Sequence, residues 1–288
     1  MKVLILGSQG NLGNQLMLSG KAWGHDLIGW DHDDVDLTDW LTTKTKLDQI
    51  EIEVMINTVA YNAVDTAETE PGQSLAYALN RDLVDNLAAY CQSHGIILVQ
   101  YSTDYVFSGN QIKGYKESDQ PDPLNHYGLS KAAGEQAIVS RNDSLEYYVI
   151  RTSKLFGPRG LSASAKASFF DIMLRLAESG DELKGVDSEK SCFTYTPDLA
   201  QTTWQILKQK PEKGVYHIVN SQPATWFEAL SELKAAAGLV NPIRPIDGLS
   251  LPRPAKRPEH SALLMTKLPA LRDYREALQE YLQDTKGN

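Results

Sequence analysis

The first half of the chain alternates short apolar runs with amphipathic stretches, and this rhythm restricts the fold more than any other feature. Apolar runs that predict buried strands lie at residues 3–6, 27–30, 54–59, 96–101 and 147–150. Patterns of helical period lie between them, at residues 12–18, 75–90 and 127–139. Buried strands that alternate with helices are typical of a parallel sheet covered on both faces. The pattern therefore predicts an α/β fold with a doubly wound parallel sheet.

The rhythm changes beyond Arg151. The pattern still predicts a helix over residues 169–178 and a strand over residues 215–219. Two segments are predicted to be irregular: the one between this helix and this strand, and the Pro-rich stretch 241–258. We therefore expect two unequal parts. Residues 1–155 would form the sheet domain, to which segments near 190–220 return, and residues 156–288 would mostly form a smaller C-terminal lobe.

The composition excludes several classes of function. The 288 residues hold 37 acidic and 28 basic side chains, a net charge of -9, so no overall positive field exists to bind nucleic acid or an anionic membrane. No segment approaches the roughly 20 apolar residues of a membrane span, and the N-terminus lacks the pattern of a signal peptide. We expect a cytoplasmic protein. Cys91 and Cys192 make neither a disulfide framework nor a zinc site, and we expect buried, inert thiols.

A glycine triplet follows the first strand and opens the first helix. Its members are Gly7, Gly10 and Gly13, and Gln9, Asn11 and Leu12 lie between them. Glycines let the backbone turn sharply and approach a pyrophosphate, and the helix N-terminus offers free N–H groups to the phosphates. The loop therefore predicts a dinucleotide site of the Rossmann type. A tight turn that binds no ligand is the alternative, and the position after a strand at the start of the chain argues against it.

Asp31 ends the second predicted strand about 20 residues further on, where an acid would accept hydrogen bonds from an adenosine ribose. A carboxylate there favours NADH over NADPH, whose 2′-phosphate it repels. The alternative is a solvated acid, because the following residues are also largely acidic. Asp36 and Leu37 are predicted to lie near the adenine.

Tyr127 and Lys131 are four residues apart, so they share a face of the predicted helix. The ordinary pKa of tyrosine, about 10, makes it a poor acid or base at neutral pH. A nearby ammonium, together with an oxidised nicotinamide, would lower that pKa. Thr103 closes the fourth predicted strand, at the sheet edge where ligands bind, and its hydroxyl could donate to a substrate carbonyl. An exposed helical pair and an ordinary strand-ending threonine are the alternatives.

These motifs resemble those of the extended short-chain dehydrogenase/reductases and, more narrowly, the dTDP-4-dehydrorhamnose reductase family. The matching segments lie at residues 7–13, 36–39, 56–68, 102–107, 123–135, 151–153, 194–199, 214–217 and 252–258. The early segments are typical of the superfamily. The combination of Ala63-Val64-Asp65 with the late Pro-Arg-Pro-Ala stretch is typical of the narrower family, and the resemblance covers nearly the whole chain.

The resemblance implies a function and a set of residues. A nicotinamide hydride, from NADH or NADPH, would reduce the 4-keto carbon of a nucleotide-linked deoxysugar, with Thr103, Tyr127 and Lys131 as the catalytic residues. Tyr127 and Lys131 would also bind the cofactor, beside the strand end formed by Thr58, Val59 and Ala60. The residues implied to contact the sugar nucleotide are Val64, Thr103, Asp104, Tyr127, Lys154 and Arg253. Arg253, Lys256 and Arg257 could meet a diphosphate or simply face solvent.

The sequence departs from the family pattern at several positions. Lys154 stands where a tryptophan is usual, and Phe193 stands where a proline is usual in a loop expected to face the substrate. A reductase of another nucleotide-linked 4-keto sugar is therefore one alternative. A regulatory subunit that binds cofactor without turnover is another, although the complete set of catalytic residues argues against it. Gln15 is a poor ligand for Mg²⁺, so no metal is predicted. A homodimer is compatible with the resemblance, and the sequence does not give the oligomeric state.

Overall fold

The computed structural model describes residues 1–163 and 165–286. Its strands are β1 (Lys2–Leu6), β2 (Asp26–Trp30), β3 (Val54–Asn57), β4 (Ile97–Thr103), β5 (Tyr147–Thr152), β6 (Leu155–Phe156), β7 (Leu183–Val186), β8 (Lys190–Ser191), β9 (Thr194–Tyr195), β10 (Gly214–His217), β11 (Ala224–Thr225) and β12 (Ile243–Ile246). Its helices are α1 (Asn11–Ala22), α2 (Trp40–Leu47), α3 (Gly72–Tyr77), α4 (Leu83–His94), α5 (His126–Val139), α6 (Phe169–Ala177), α7 (Thr196–Gln209), α8 (Trp226–Ala237) and α9 (Tyr274–Lys286).

The central sheet has six parallel strands in the order β10-β5-β4-β3-β1-β2. Side chains of β1 alternate between its faces, as the period of a strand requires. Val3 and Ile5 pack in the core beneath α1 and α7, whereas Leu4 and Leu6 pack in the core beneath α2, α4 and α5. Helices thus cover both faces, and the predicted doubly wound α/β fold is confirmed.

The order of the strands locates the ligand crevice. β1 pairs with β2 on one side and with β3 on the other, so the direction of winding reverses at β1. Loops that leave the carboxyl ends of β1 and β3 therefore diverge to opposite faces of the sheet. Open α/β sheets bind their ligands in the crevice between such loops.

A second core lies outside the central sheet. Aromatic residues dominate it, among them Phe156, Phe170, Phe193, Tyr195 and Tyr274. They come from β6, α6, β9, α9 and the link between β8 and β9, and the apolar face of α8 packs against them. We call this part of the molecule the second lobe. It provides the wall that faces the carboxyl ends of the central strands.

The structure corrects three predictions. Part of the Pro-rich stretch 241–258 is regular, because β12 pairs in parallel with β7. The stretch before residue 215 is not irregular, because α7 occupies Thr196–Gln209, packs against α1 and buries Leu199 and Trp204. Thr202 and Thr203 are polar and β-branched and interrupt the apolar pattern of α7, so the sequence did not predict this helix. The helix predicted over residues 75–90 extends further at both ends. It consists of α3 and α4, which are joined by a π-helical turn at Ala78–Asp82.

β10 (Gly214–His217) is an edge strand of the central sheet and pairs with β5. The division of the protein at residue 155 stays a prediction. Within the described ranges, every helix is too short or too polar to cross a bilayer. Cys91 and Cys192 are both buried free thiols, as predicted.

Candidate active site

The loop between β1 and α1 is shaped by its glycines. Gly7 has φ +76°, and a Cβ on Gly13 would lie 2.0 Å from the Gly7 carbonyl oxygen, so only glycine fits there. α1 begins after Gly10 without a side-chain cap and has no acidic residue in its first turn. Its N–H groups therefore keep their partial positive charge for an anion. These residues fit the pyrophosphate of a dinucleotide.

The acid predicted at the end of β2 lies against this loop. The Asp31 carboxylate accepts hydrogen bonds from the Gln9 N–H at 2.9 Å and from the N–H and Nδ1 of His32. Burial disfavours its charged form, but these hydrogen bonds outweigh burial and hold the pKa of Asp31 below its usual value. Asp31 is therefore ionised at neutral pH, as a ribose-binding acid requires.

Other predicted cofactor residues surround the same crevice. Thr58, at the end of β3, donates from Oγ1 to the Leu6 carbonyl at 2.7 Å, which ties the β3 loop to the β1 loop. Val59 and Ala60 follow it and are half-buried. Leu12 has its side chain in the core, so only its backbone could contact a cofactor. Asp36 caps the backbone of Thr38, and Leu37 packs on the core beside β2.

The structure brings Thr103 and Tyr127 together, although 24 positions separate them in the sequence. Thr103 is the last residue of β4, and Tyr127 lies in the first turn of α5. Gly128 makes the approach feasible, because a Cβ there would lie 2.2 Å from the Tyr105 carbonyl oxygen. Asn125 caps α5 through a hydrogen bond from the Gly128 N–H at 2.8 Å. Local residues thus fix the start of the helix and carry the phenol to the strand end.

The environment of Tyr127 keeps its phenol protonated. Burial raises the pKa of Tyr127 to about 12, although the Thr103 hydroxyl lowers it in part. The protein alone therefore does not produce the expected lowering of this pKa, since the loss of hydration of the phenolate dominates. A phenol that is neutral at pH 7 suits proton donation to a substrate oxygen.

Lys131 lies one turn further along α5 and is only 5% exposed. Its Nζ donates to the Tyr101 carbonyl oxygen at 2.6 Å. Burial lowers the pKa of Lys131 to about 8, and the charge of Glu135 opposes the shift. Glu135 is held by a buried bidentate ion pair with Arg151, whose Nε donates to Oε1 at 3.0 Å and whose Nη2 donates to Oε2 at 2.7 Å. Lys131 is therefore mostly protonated at neutral pH and fixed in place.

Lys154 follows β5 and is surrounded by aromatic and charged side chains. Its Nζ is 4.0 Å from the ring centre of Trp226 and 4.7 Å from that of Phe193, and it is buried with no hydrogen-bond partner among the described residues. Burial lowers the pKa of Lys154 to about 8, and the charge of buried Asp104 opposes the shift. Its φ of +37° is a further sign of constraint at this position.

Two of the predicted cations are already paired within the chain. Arg253 forms a bidentate ion pair with Glu189, which also accepts from the Trp226 indole N–H at 3.3 Å. Arg257 forms a bidentate ion pair with Asp65, at 2.9 and 2.6 Å. This second pair joins the Pro-rich segment of the second lobe to the loop after β3. We call Lys154, Glu189, Arg253 and Trp226 the charged aromatic cluster.

Known proteins that are similar to this chain identify its family. The family model described as the RmlD substrate binding domain matches residues 1–286. The dTDP-4-dehydrorhamnose reductase of Streptomyces griseus is 33% identical, with 96% of this chain and 91% of that protein covered. The chain belongs to the dTDP-4-dehydrorhamnose reductase family. It is an NAD(P)H-dependent oxidoreductase of the extended short-chain dehydrogenase/reductase type.

Two further relatives indicate the range of this family. A crystal structure of dTDP-4-dehydrorhamnose reductase from Bacillus anthracis in complex with NADP has a TM-score of 0.90 and 29% identity, with 98% of this chain and 99% of that chain covered. The probable dTDP-4,6-dihydroxy-2-methyloxan-3-one 4-ketoreductase of Streptomyces antibioticus is 32% identical and covers 99% of this chain, and 95% of that protein is covered. Relatives at similar identity, 33% and 32%, thus carry the names of different ketosugar reductases.

On the side of the second lobe, the structure corrects the expected position of Phe193. It also shows two residues near Lys154 that the sequence did not indicate. Phe193 is 1% exposed and packs in the core of the second lobe, so it does not lie in a loop that faces the substrate. Glu189 and Trp226 border Lys154 and Arg253, but no motif or spacing marks them. Asp65 lies within a family motif, which predicted its importance without indicating Arg257 as its partner.

Proposed function

We propose that this chain reduces the 4-keto group of a nucleotide-linked deoxysugar, and that the substrate is dTDP-4-dehydrorhamnose and the product dTDP-rhamnose. The observation that carries the proposal is the meeting of Thr103, Tyr127 and Lys131 at the carboxyl ends of β4 and β5, beside the dinucleotide crevice. The second lobe closes the other side with the charged aromatic cluster. A ketone bound between the two parts would lie against two hydroxyl donors.

Each side chain has a distinct role in this proposal. NADH or NADPH, when bound, supplies the hydride. Tyr127 donates its phenolic proton to the ketone oxygen as negative charge develops there. The Thr103 hydroxyl donates to Asp104 Oδ1 at 3.2 Å, a long hydrogen bond. It can turn to the ketone oxygen at little cost and stabilise the same charge.

Lys131 serves the cofactor side of the reaction. Its ammonium is anchored on the Tyr101 carbonyl and retains donor capacity, because an ammonium has three N–H groups. We propose that a second N–H binds a ribose hydroxyl of the cofactor. The positive charge of Lys131 also favours the phenolate that Tyr127 becomes after it loses its proton.

The sugar nucleotide would bind between Val64, Asp104, Lys154 and Arg253. We propose NADH as the preferred cofactor, because the ionised carboxylate of Asp31 suits a ribose with free hydroxyls and repels a 2′-phosphate. The compartment is the cytoplasm in this proposal. A homodimer stays a prediction, which the molar mass in solution would check.

The test is turnover by the purified full-length chain. The protein is supplied with NADH or NADPH and with dTDP-4-dehydrorhamnose, and cofactor oxidation and the sugar product are measured. We expect stoichiometric formation of dTDP-rhamnose. Oxidation of neither cofactor, with cofactor binding intact, would support the alternative of a regulatory subunit instead.

A second candidate is a reductase of a different nucleotide-linked 4-keto sugar. Lys154 favours it, because a buried amine with no hydrogen-bond partner among the described residues replaces the indole that is usual in this family. Turnover is compared between dTDP-4-dehydrorhamnose and other dTDP- and UDP-linked 4-keto sugars. A kcat/KM at least tenfold higher for one of the others would replace the first proposal and leave the reaction type unchanged.

A further inference from the structure

A segment of the second lobe crosses the dinucleotide crevice. It leads from β6 to α6, and we call its described residues, 157–163 and 165–168, the strap. The Ser162 N–H donates to the Gln9 carbonyl at 3.0 Å, which places the strap directly on the glycine-rich loop. The predicted pyrophosphate site therefore has a third wall, besides the loop and the start of α1.

Asn11 fastens the strap with both ends of its side chain. Its Oδ1 accepts from the Gly160 N–H at 2.8 Å, and its Nδ2 donates to the Lys166 carbonyl at 2.8 Å. Gly160 allows the close approach, since a Cβ there would lie 2.4 Å from the Gln9 carbonyl oxygen and 2.5 Å from the Gly10 carbonyl carbon. The first residue of α1 thus connects two points of the strap.

Lys166 reaches the opposite side of the crevice. Its Nζ lies 3.3 Å from the carbonyl oxygen of Asn62, in the loop after β3. A neutral carbonyl at that distance is a weak partner, and the side chain is exposed. A phosphate oxygen would form a stronger, charge-assisted bond with the same ammonium. Lys166 therefore bridges the crevice, with its carbonyl on Asn11 of α1 and its ammonium on the loop after β3.

We propose that the strap is a cofactor clamp, in which Asn11 holds the second lobe over the glycine-rich loop and Lys166 contributes a cation to the pyrophosphate. The loop binds the dinucleotide by backbone N–H groups from one side, and Lys166 binds it from the other. Release of the cofactor then requires the strap to detach from Asn11. The proposal rests on the dependence on NAD(P)H and is independent of which sugar is reduced.

Lys166→Met tests the cation. NADH and ADP-ribose are titrated into the full-length protein without any sugar, and the dissociation constants are measured at low and at high salt. We expect binding about tenfold weaker than in the wild type, with a smaller dependence on salt, because one charge-assisted contact is lost. The matched control is Lys184→Met, an exposed lysine on β7. Equal affinities of the two variants would overturn the role of Lys166.

Gly160→Val tests the clamp from outside the glycine-rich loop. Its side chain would collide with the backbone of Gln9 and Gly10, so the strap should lift. We expect release of NADH, followed by stopped-flow fluorescence, to be about tenfold faster, with a smaller change in the association rate. Release at the wild-type rate would overturn the clamp. A wild-type protein that binds neither NADH nor NADPH would instead overturn the cofactor dependence itself.

Discussion

The two walls of the active site obtain their binding properties in different ways. The dinucleotide crevice is built from backbone, since Gly7, Gly13 and the start of α1 present N–H groups whose positions the local chain dictates. The charged aromatic cluster is built from side chains, and its cations are compensated or crowded by neighbours from distant parts of the chain. An added Cβ at Gly13 would collide with the loop backbone, whereas a single substitution can change the charge of the side-chain wall.

The largest expected effect separates chemistry from binding. Tyr127→Phe removes the proton donor and leaves the backbone crevice untouched. We expect kcat to fall about 1,000-fold, the range for loss of a general acid, with the dissociation constant of NADH within about twofold of the wild type. Tyr147→Phe is the control, because its hydroxyl contacts Asn142 at the far end of β5. Near-normal turnover in Tyr127→Phe would remove this residue from the mechanism.

A second prediction tests whether backbone shape dominates the crevice. A Cβ on Gly13 would lie 2.0 Å from the Gly7 carbonyl oxygen, whereas one on Gly10 would lie 3.3 Å from it. We expect Gly13→Ala to weaken NADH binding about 100-fold, because the loop must deform, and Gly10→Ala to have a much smaller effect. Similar losses in both variants would show that loop shape is not what decides affinity. Circular dichroism checks that both proteins fold.

A third prediction tests the side-chain wall. Burial lowers the pKa of Lys154 from 10.5 to about 8, so the charged amine destabilises the folded state at neutral pH. Lys154→Met should raise the free energy of unfolding by about 2 kcal/mol below pH 8. In the wild type the unfolded chain binds more protons between pH 8 and 10.5, so wild-type stability rises with pH and the difference shrinks. Urea unfolding at pH 7 and pH 10 measures this. An equal gain in the free energy of unfolding at pH 7 and pH 10 would contradict a charged Lys154 at neutral pH.

The smallest expected effect concerns the choice of cofactor. Asp31→Ser removes the carboxylate that would repel a 2′-phosphate, so the ratio of kcat/KM for NADH to that for NADPH should fall about tenfold. Asp33→Ser changes an exposed acid of the same loop and serves as the control. An unchanged ratio in Asp31→Ser would mean that the preference is set elsewhere in the crevice.

The sequence predicted much of the central sheet because its signals are local. Strand and helix periods, the glycine triplet and the spacing of Tyr127 and Lys131 all lie within short windows. The sequence did not predict α7, because Thr202 and Thr203 are polar but buried, and their burial depends on Tyr101 and α1. A short segment of the sequence does not indicate which distant residues will contact it.

The sequence by itself determined the α/β class and the family, and it predicted the dinucleotide loop and the residues suited to proton transfer. Only the tertiary structure decided that the pKa of Tyr127 is raised, that Arg253 and Arg257 are paired with acids, that Phe193 is core and that the strap crosses the crevice. The physical reason is the range of the interactions. Turns and helix caps depend on neighbours along the chain, whereas desolvation and ion pairing depend on whichever groups folding brings within a few ångströms.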